Sequence, residues 1–137
     1  MKYLQIVFLV VLLGCGNKKV YQNASHQISN EDFSEFYAMF FEDTVFQKER
    51  IILPLKGNIK TWVGDSIKED TWVGKDIVVT AKEVFVDSYS NLKTDLIDLD
   101  SIYIEKYWLD QSGFIIEREY VRNNGLWYLS RYDISNL

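Results

Sequence analysis

Residues 101–137 read SIYIEKYWLDQSGFIIEREYVRNNGLWYLSRYDISNL, and this stretch decides the fold class. Three runs rich in β-branched and aromatic residues, 101–109, 114–122 and 126–134, are separated by Asp110-Gln111-Ser112-Gly113 and Asn123-Asn124-Gly125. That is the pattern of antiparallel strands joined by tight turns. A loop of residues 110–113 pairs Leu109 with Phe114, and so sets Glu105 opposite Arg118 and Lys106 opposite Glu117. A loop of residues 123–125, with Gly125 left-handed, pairs Arg122 with Leu126, Tyr120 with Tyr128 and Glu117 with Arg131. The shorter Asn124-Gly125 turn would set Arg118 against Arg131. Opposite charges facing each other are favourable by roughly 0.2–1 kcal/mol and like charges are not, so the longer loop is expected.

In that register one face carries Tyr103, Glu105, Tyr107, Leu109, Phe114, Ile116, Arg118, Tyr120, Tyr128 and Tyr132. The other carries a charged row, Lys106-Glu117-Arg131. The aromatic face is expected to be concave and covered by helices, and the charged row to be solvated. Glu105 and Arg118 among tyrosines have two readings. One is a structural ion pair, since buried charges are normally paired. The other is a pocket in which Arg118 meets an anionic or hydroxyl-rich ligand and tyrosine rings stack on its apolar part. Candidate ligand contacts are therefore Tyr103, Glu105, Tyr107, Arg118, Tyr120, Tyr128 and Tyr132.

Upstream, Ser29-Asn30-Glu31-Asp32 supplies capping residues and acids for a helix start. Phe33, Phe36, Tyr37, Phe40 and Phe41 follow at helical spacing, which marks a core-facing stripe. Asp43-Thr44 opens a second helix, with Thr44 and Gln47 as a capping box. Ile51-Ile52-Leu53-Pro54-Leu55 is strand-like, and Pro54 places it at a sheet edge. Residues 57–76 are turn-rich and contain Thr61-Trp62-Val63-Gly64 and Thr71-Trp72-Val73-Gly74, a near-repeat better explained by a hairpin than by duplication. Ile77 to Asp87 reads as a strand and 88–100 as a polar connection. Helices first and strands last give α+β, with N-terminal helices packed on a curved antiparallel sheet.

The chain opens with Met1-Lys2, an apolar run from Tyr3 to Leu13 broken by Gln5, and Gly14-Cys15-Gly16. A basic start, a short apolar middle and small residues at the cut make a secretory signal peptide. The run reaches only about 16 Å as a helix, too short to span a bilayer. Leu12-Leu13-Gly14-Cys15 closely resembles the bacterial lipobox, which implies a lipidated Cys15 and partnership with a membrane through acyl chains on that residue. The expected organisation is a signal peptide over 1–14, lipidated Cys15 with a polar tether over 15–29, and one domain over 30–137. Such a tether has an r.m.s. reach of roughly 20 Å. Removing Lys2 with the signal leaves 14 basic against 20 acidic side chains, a formal charge of −6. Anionic headgroups repel such a domain, so the lipid must hold it there. The acidic balance also excludes a nucleic-acid partner, because phosphate neutralisation needs clustered Lys and Arg.

The order of helices and strands resembles the nuclear-transport-factor-2-like, or cystatin-like, cone. Asp32-Phe33, Phe46-Gln47, Arg50-Ile51, Leu53-Pro54-Leu55, Glu69-Asp70-Thr71-Trp72 and Gly125-Leu126-Trp127-Tyr128-Leu129 are similar to a Bacteroidetes lipoprotein family, domain of unknown function 4348. These are packing motifs. They imply fold and location, and they bring no catalytic residues.

Chemistry that the sequence does not supply narrows the function. His26, the one histidine, lies in the tether, so neither a Ser-His-Asp nor a Cys-His arrangement is expected. No metal or cofactor site is expected either: Asp95, Asp98 and Asp100 are interrupted by Leu96, Ile97 and Leu99, and no distal Glu completes a calcium loop. The leading expectation is a non-enzymatic module that binds a small ligand or an envelope protein. The alternative is a carboxylate-dependent hydrolase or isomerase using Glu105 with a second acid such as Glu35. Asp43-Thr44-Val45, Asp65-Ser66-Ile67 and Asp100-Ser101-Ile102 resemble the O-glycosylation motif of Bacteroidetes envelope proteins, which makes Thr44, Ser66 and Ser101 candidate acceptors. Lys18-Lys19 stand where surface-exported lipoproteins carry acids, so a periplasm-facing anchor is expected. The Cys15→Ala variant should then leave the membrane fraction and lose an incorporated acyl label, while intact cells shield the wild-type domain from added protease. Membrane retention of the variant with its label unaltered would refute the lipobox reading.

Overall fold

The computed structural model describes residues 30–74 and 76–137. The segments expected to be a signal peptide and a tether, with Cys15 and His26, lie outside them. Among the described residues no helix is long and apolar enough to cross a membrane.

Helix α1, Phe33–Glu42, starts where Asp32 accepts from the backbone N–H groups of Ser34 (2.8 Å) and Glu35 (3.2 Å). These bonds, with the Ser34 hydroxyl, hold the Asp32 carboxyl below its usual range. Phe36 and Phe40, one turn apart, are fully buried. Helix α2, Thr44–Glu49, is capped by Asp43, whose carboxylate accepts from Val45 and Phe46 N–H. The expected Thr44–Gln47 capping box does not form there. Gln47 is buried (4% exposed), donates to the Phe40 and Val79 carbonyls, and accepts from Val79 N–H at 2.9 Å.

Strands β1 (Ile51–Lys56), β2 (Asn58–Val63), β3 (Ser66–Thr71), β4 (Lys93–Leu99), β5 (Ile102–Trp108), β6 (Phe114–Asn123) and β7 (Leu126–Asn136) form one sheet, with helix α3 (Lys82–Ser88) between β3 and β4. The sheet order is β3-β2-β7-β6-β5-β4, and β1 also pairs with β7. It is mixed rather than antiparallel throughout, because β1 and β2 both run parallel to β7. They take successive lengths of one β7 edge, β1 beside Leu129 and Arg131 and β2 beside Ile134 to Asn136. Between them Gly57 has φ +104°, and any Cβ there would collide with the Tyr132 carbonyl. Only glycine allows the backbone to cross so close. Pro54 lies in β1, which pairs with β7 alone.

Two segments differ from the sequence reading. Residues 77–81 belong to no helix and join no strand, and α3 replaces the remainder of the expected strand to Asp87. The alternation that suggested a strand is real, since Ile77 and Val79 are buried and Val78 is exposed. The backbone groups of Val79, however, bond to the Gln47 side chain instead of a ladder. The polar connection over 88–100 contains β4, an edge strand exposed along its whole length. Its composition reflects that exposure, so its pairing with β5 leaves no apolar alternation to read. Thr61-Trp62 lies on β2, and Thr71 ends β3 with Trp72 just beyond it, the two strands forming a hairpin closed by Gly64-Asp65. They are not equivalent: Trp62 is 54% exposed, whereas Trp72 stacks on Tyr132 at 4.7 Å and donates from its indole to the Tyr132 carbonyl.

The β5–β6 register is the expected one, with Glu105 opposite Arg118 and Lys106 opposite Glu117. The β6–β7 register is not. Asn123 pairs with Leu126 across a two-residue turn, with Asn124 at φ 50° and Gly125 at φ 81°. That backbone twist suits a hairpin of right-twisted strands. The objection from Arg118 facing Arg131 is removed by an irregularity between Glu119 and Tyr120, at which Ser130 becomes an extra residue on β7. Arg131 thereby faces Glu119 and Arg118 faces Tyr132, while the Ser130 hydroxyl donates to the Glu119 carbonyl and carboxylate. Gln47→Leu should cost about 2–4 kcal/mol, because it strands buried backbone groups of Phe40 and Val79. A urea midpoint shifted downward at unchanged slope would register it. A loss under about 1 kcal/mol would show that water replaces the side chain.

Candidate functional site

Glu105 and Arg118 sit at the centre of the sheet's helix-covered face, 2% and 0% exposed. The guanidinium Nη1 donates to Glu105 Oε1 at 2.8 Å and to the Tyr107 hydroxyl oxygen at 2.5 Å. Its Nη2 donates to the Thr80 carbonyl, which ties the irregular 77–81 segment to the sheet. The rings of Phe41, Tyr107 and Tyr132 surround the guanidinium carbon at 5.1–5.2 Å. Burial opposes the charge on Arg118, but Tyr120, Tyr107, Glu105 and Tyr132 outweigh it and hold its pKa above the ordinary value. Burial also raises the hydroxyl pKa of Tyr37, Tyr107 and Tyr120, so all three are neutral at physiological pH, Tyr37 and Tyr120 donating to Glu105 and Tyr107 accepting from Arg118.

The two carboxylate oxygens of Glu105 face different surroundings. Oε1 accepts from Arg118 and from Tyr120, at 3.0 Å. Oε2 accepts from Tyr37 at 2.9 Å. Glu105 and Tyr37 line a cleft of about 320 Å³ with Phe33, Ser34, Ala38, Lys82, Glu83, Leu96 and Tyr103, whereas Arg118 and Tyr120 do not. Local structure explains the grouping. Phe33 and Tyr37 lie one turn apart on α1, and Leu96 on β4 is directly opposite Glu105 on β5. Tyr103 is two residues from Glu105, hence on the same face, and its ring stacks on Phe33 at 3.8 Å. Glu83, in the first turn of α3, is close enough to Tyr37 for its charge to contribute to the raised hydroxyl pKa.

The sequence-derived candidates therefore separate into three groups. Tyr103 and Glu105 line the cleft. Tyr107, Arg118, Tyr120 and Tyr132 are buried behind it, so Arg118 does not present a guanidinium to the cleft. Tyr128 is on the opposite face, because Trp127 and Leu129 take the inward positions of β7. Its ring lies 5.3 Å from the guanidinium of Arg50, which also holds Glu31 through two 3.1 Å bonds. The extra residue Ser130 restores the inward phase at Tyr132, and this is why one of the two tyrosines was assigned to the wrong face. On that outer face Glu117 is opposite Asp133 rather than Arg131, and Arg131 bridges to Asp133 at 2.5 Å.

Sequence reasoning missed Tyr37 and Glu83 as cleft residues. Tyr37 was counted only as part of a core stripe, although a hydroxyl at the rim of such a stripe is a usable signal. Glu83 could not be found while its segment was read as a strand. Glu35, the proposed second acid, is exposed on α1 and lies outside the cleft lining. Thr44, Ser66 and Ser101 are all exposed. Among the described residues no group of three or more His, Cys, Asp or Glu is placed to hold a metal ion.

No protein-family model matches the chain, and no curated protein does. Among solved structures it is similar to a nuclear-transport-factor-2-like protein from Bacteroides fragilis, with a TM-score of 0.48 and 23% identity over 79% of this chain. The match covers 48% of that neighbour, so this chain spans about half its length.

The centre of the site reads as a structural ion pair. Glu105→Ala alone should cost about 3–5 kcal/mol, because it leaves a buried guanidinium without its counter-charge. Replacing Glu105 and Arg118 together by apolar residues of similar volume should recover much of that loss in chemical denaturation. A single-mutant cost below about 1 kcal/mol would mean that the pair is solvated, contrary to the geometry.

Proposed function

We propose that this chain is a lipid-anchored, periplasm-facing module of a bacterial envelope that holds a small ligand without transforming it. Under this reading it belongs with the nuclear-transport-factor-2-like proteins, and with the Bacteroidetes lipoproteins of domain of unknown function 4348. Cys15 carries the acyl chains, and Thr44, Ser66 and Ser101 are the glycan acceptors. The single observation that carries the ligand-binding reading is the cleft of about 320 Å³ with a fixed carboxylate at its floor and aromatic walls. Such a concave site, apolar with few convergent polar groups, is the usual form of a small-molecule pocket.

The carboxylate-dependent hydrolase or isomerase is less well supported. General acid–base catalysis needs two groups within reach of the reacting atoms. Glu35 does not reach the cleft, and although Glu83 lines it beside Glu105, Glu105 is already held by Arg118, Tyr120 and Tyr37. Mass spectrometry of molecules retained by the protein purified from its native envelope should find a small compound that is absent when Tyr103→Ala is purified in the same way. If wild type retains no small molecule and instead crosslinks to an envelope protein through the exposed Trp62 side, the module binds a partner and the cleft is not its site.

A further inference from the structure

The following rests on the cleft being the ligand site, and it concerns the chemical class of the occupant. The inner oxygen of Glu105 is used by Arg118 and Tyr120, while the outer oxygen has one protein donor, Tyr37. A carboxylate oxygen has room for two such bonds, so Oε2 can accept one more donor at the cleft. Glu83 lines the same cleft as Tyr37, and Asp98 faces Tyr103 across the β4–β5 pair. Lys82 is the one basic residue of the lining, against Glu83 and Glu105, and Arg118 lies behind Glu105, bonded to its other oxygen. The walls are the stacked Phe33 and Tyr103 rings, with Leu96 at the edge strand. Aromatic faces and carboxylates together attract a cation with an apolar body, and they disfavour an anion.

We propose that the cleft binds an organic cation, its ammonium group donating to Glu105 Oε2 near Glu83 and its apolar body resting against Phe33, Tyr103 and Leu96. This reverses the ligand charge expected from Arg118 in the sequence, because the folding of β5 and β6 places the acid in front of the base.

Three probes that share one phenylethyl body separate charge from shape: phenethylamine, 2-phenylethanol and 3-phenylpropionate. In NMR titrations of the full chain in detergent, phenethylamine should shift signals of Phe33, Tyr37, Leu96 and Tyr103, and should bind roughly fivefold tighter than the alcohol. The carboxylate should not bind, and added salt should weaken the amine alone. Glu83→Gln, at an exposed position, should weaken the amine by roughly two- to fivefold and leave the alcohol unchanged. Leu96→Lys, at another exposed position, should abolish amine binding. Equal binding of alcohol and amine, tighter binding of the carboxylate, or no shift by any probe would overturn the proposal. Failure here is distinguishable from failure of the ligand-binding reading. A neutral or anionic molecule retained by the envelope-purified protein would sink only the cation assignment, whereas no retained molecule would sink both.

Discussion

A guanidinium with no exposure to water sets the terms for the rest of this structure. Taking a charge out of water costs several kcal/mol even after relaxation, so Arg118 can be buried only if the fold surrounds it with acceptors and π faces. The surroundings come from every part of the chain. Glu105 and Tyr107 arrive on β5, Tyr132 on β7, Phe41 at the end of α1, and the Thr80 carbonyl from the segment before α3. For β5, β7 and α1 the contact adds to ladders and core packing already present, whereas for the segment before α3 it is one of few restraints. That segment, 77–81, has no ladder, and its two anchors are Gln47 and Arg118.

The second constraint is the phase of β7. Seven strands converge on a sheet in which β7 is paired with β6 on one edge and with β1 and β2 in turn on the other. A strand with period-two alternation cannot place Trp127, Leu129 and Tyr132 on one face unless one residue is added between the last two. Ser130 is that residue, and its hydroxyl bonds to Glu119 compensate for the disrupted ladder. The bulge brings the Tyr132 ring against Arg118 and lets Trp72 stack on its other side. One inserted position thus couples the strand register to the solvation of the buried charge.

How far the sequence revealed this depends on the range over which each signal acts. The three C-terminal strands, the phenylalanine helix and the Glu105–Arg118 pair were legible, because alternation, helical spacing and a tight Gly-containing turn are local. The β6–β7 register was not. Pairwise charge complementarity argued correctly that Arg118 should not face Arg131, but the structure avoids that contact with a bulge and keeps the Asn124-Gly125 turn. No local pattern marks Ser130 as an extra residue. The segment from Ile77 to Leu99 failed for a different reason. At 77–79 the alternation is real, but the backbone partner is a glutamine 32 positions away in sequence rather than a strand, and the exposed edge pairing of β4 leaves no hydrophobic period. Glu83 became a site residue only once that segment was seen to be helical. Parallel pairing of β1 and β2 with β7 is likewise long-range and left no sequence trace.

The position of the cleft follows from how completely the centre is filled. An arginine that needs Glu105, Tyr107 and three aromatic rings around it leaves no space at the middle of the concave face, so the opening is displaced toward β4 and the first turns of α1 and α3. Glu105 is the one residue shared by both regions. Its inner oxygen belongs to the ion pair that stabilises the fold, and its outer oxygen, oriented by Tyr37, belongs to the cleft. The geometry of the cleft's polar group is therefore fixed by the core, with little conformational entropy left to lose when a donor arrives. A carboxylate engaged on one side by a buried guanidinium is thereby fixed in orientation toward any donor that reaches its other side.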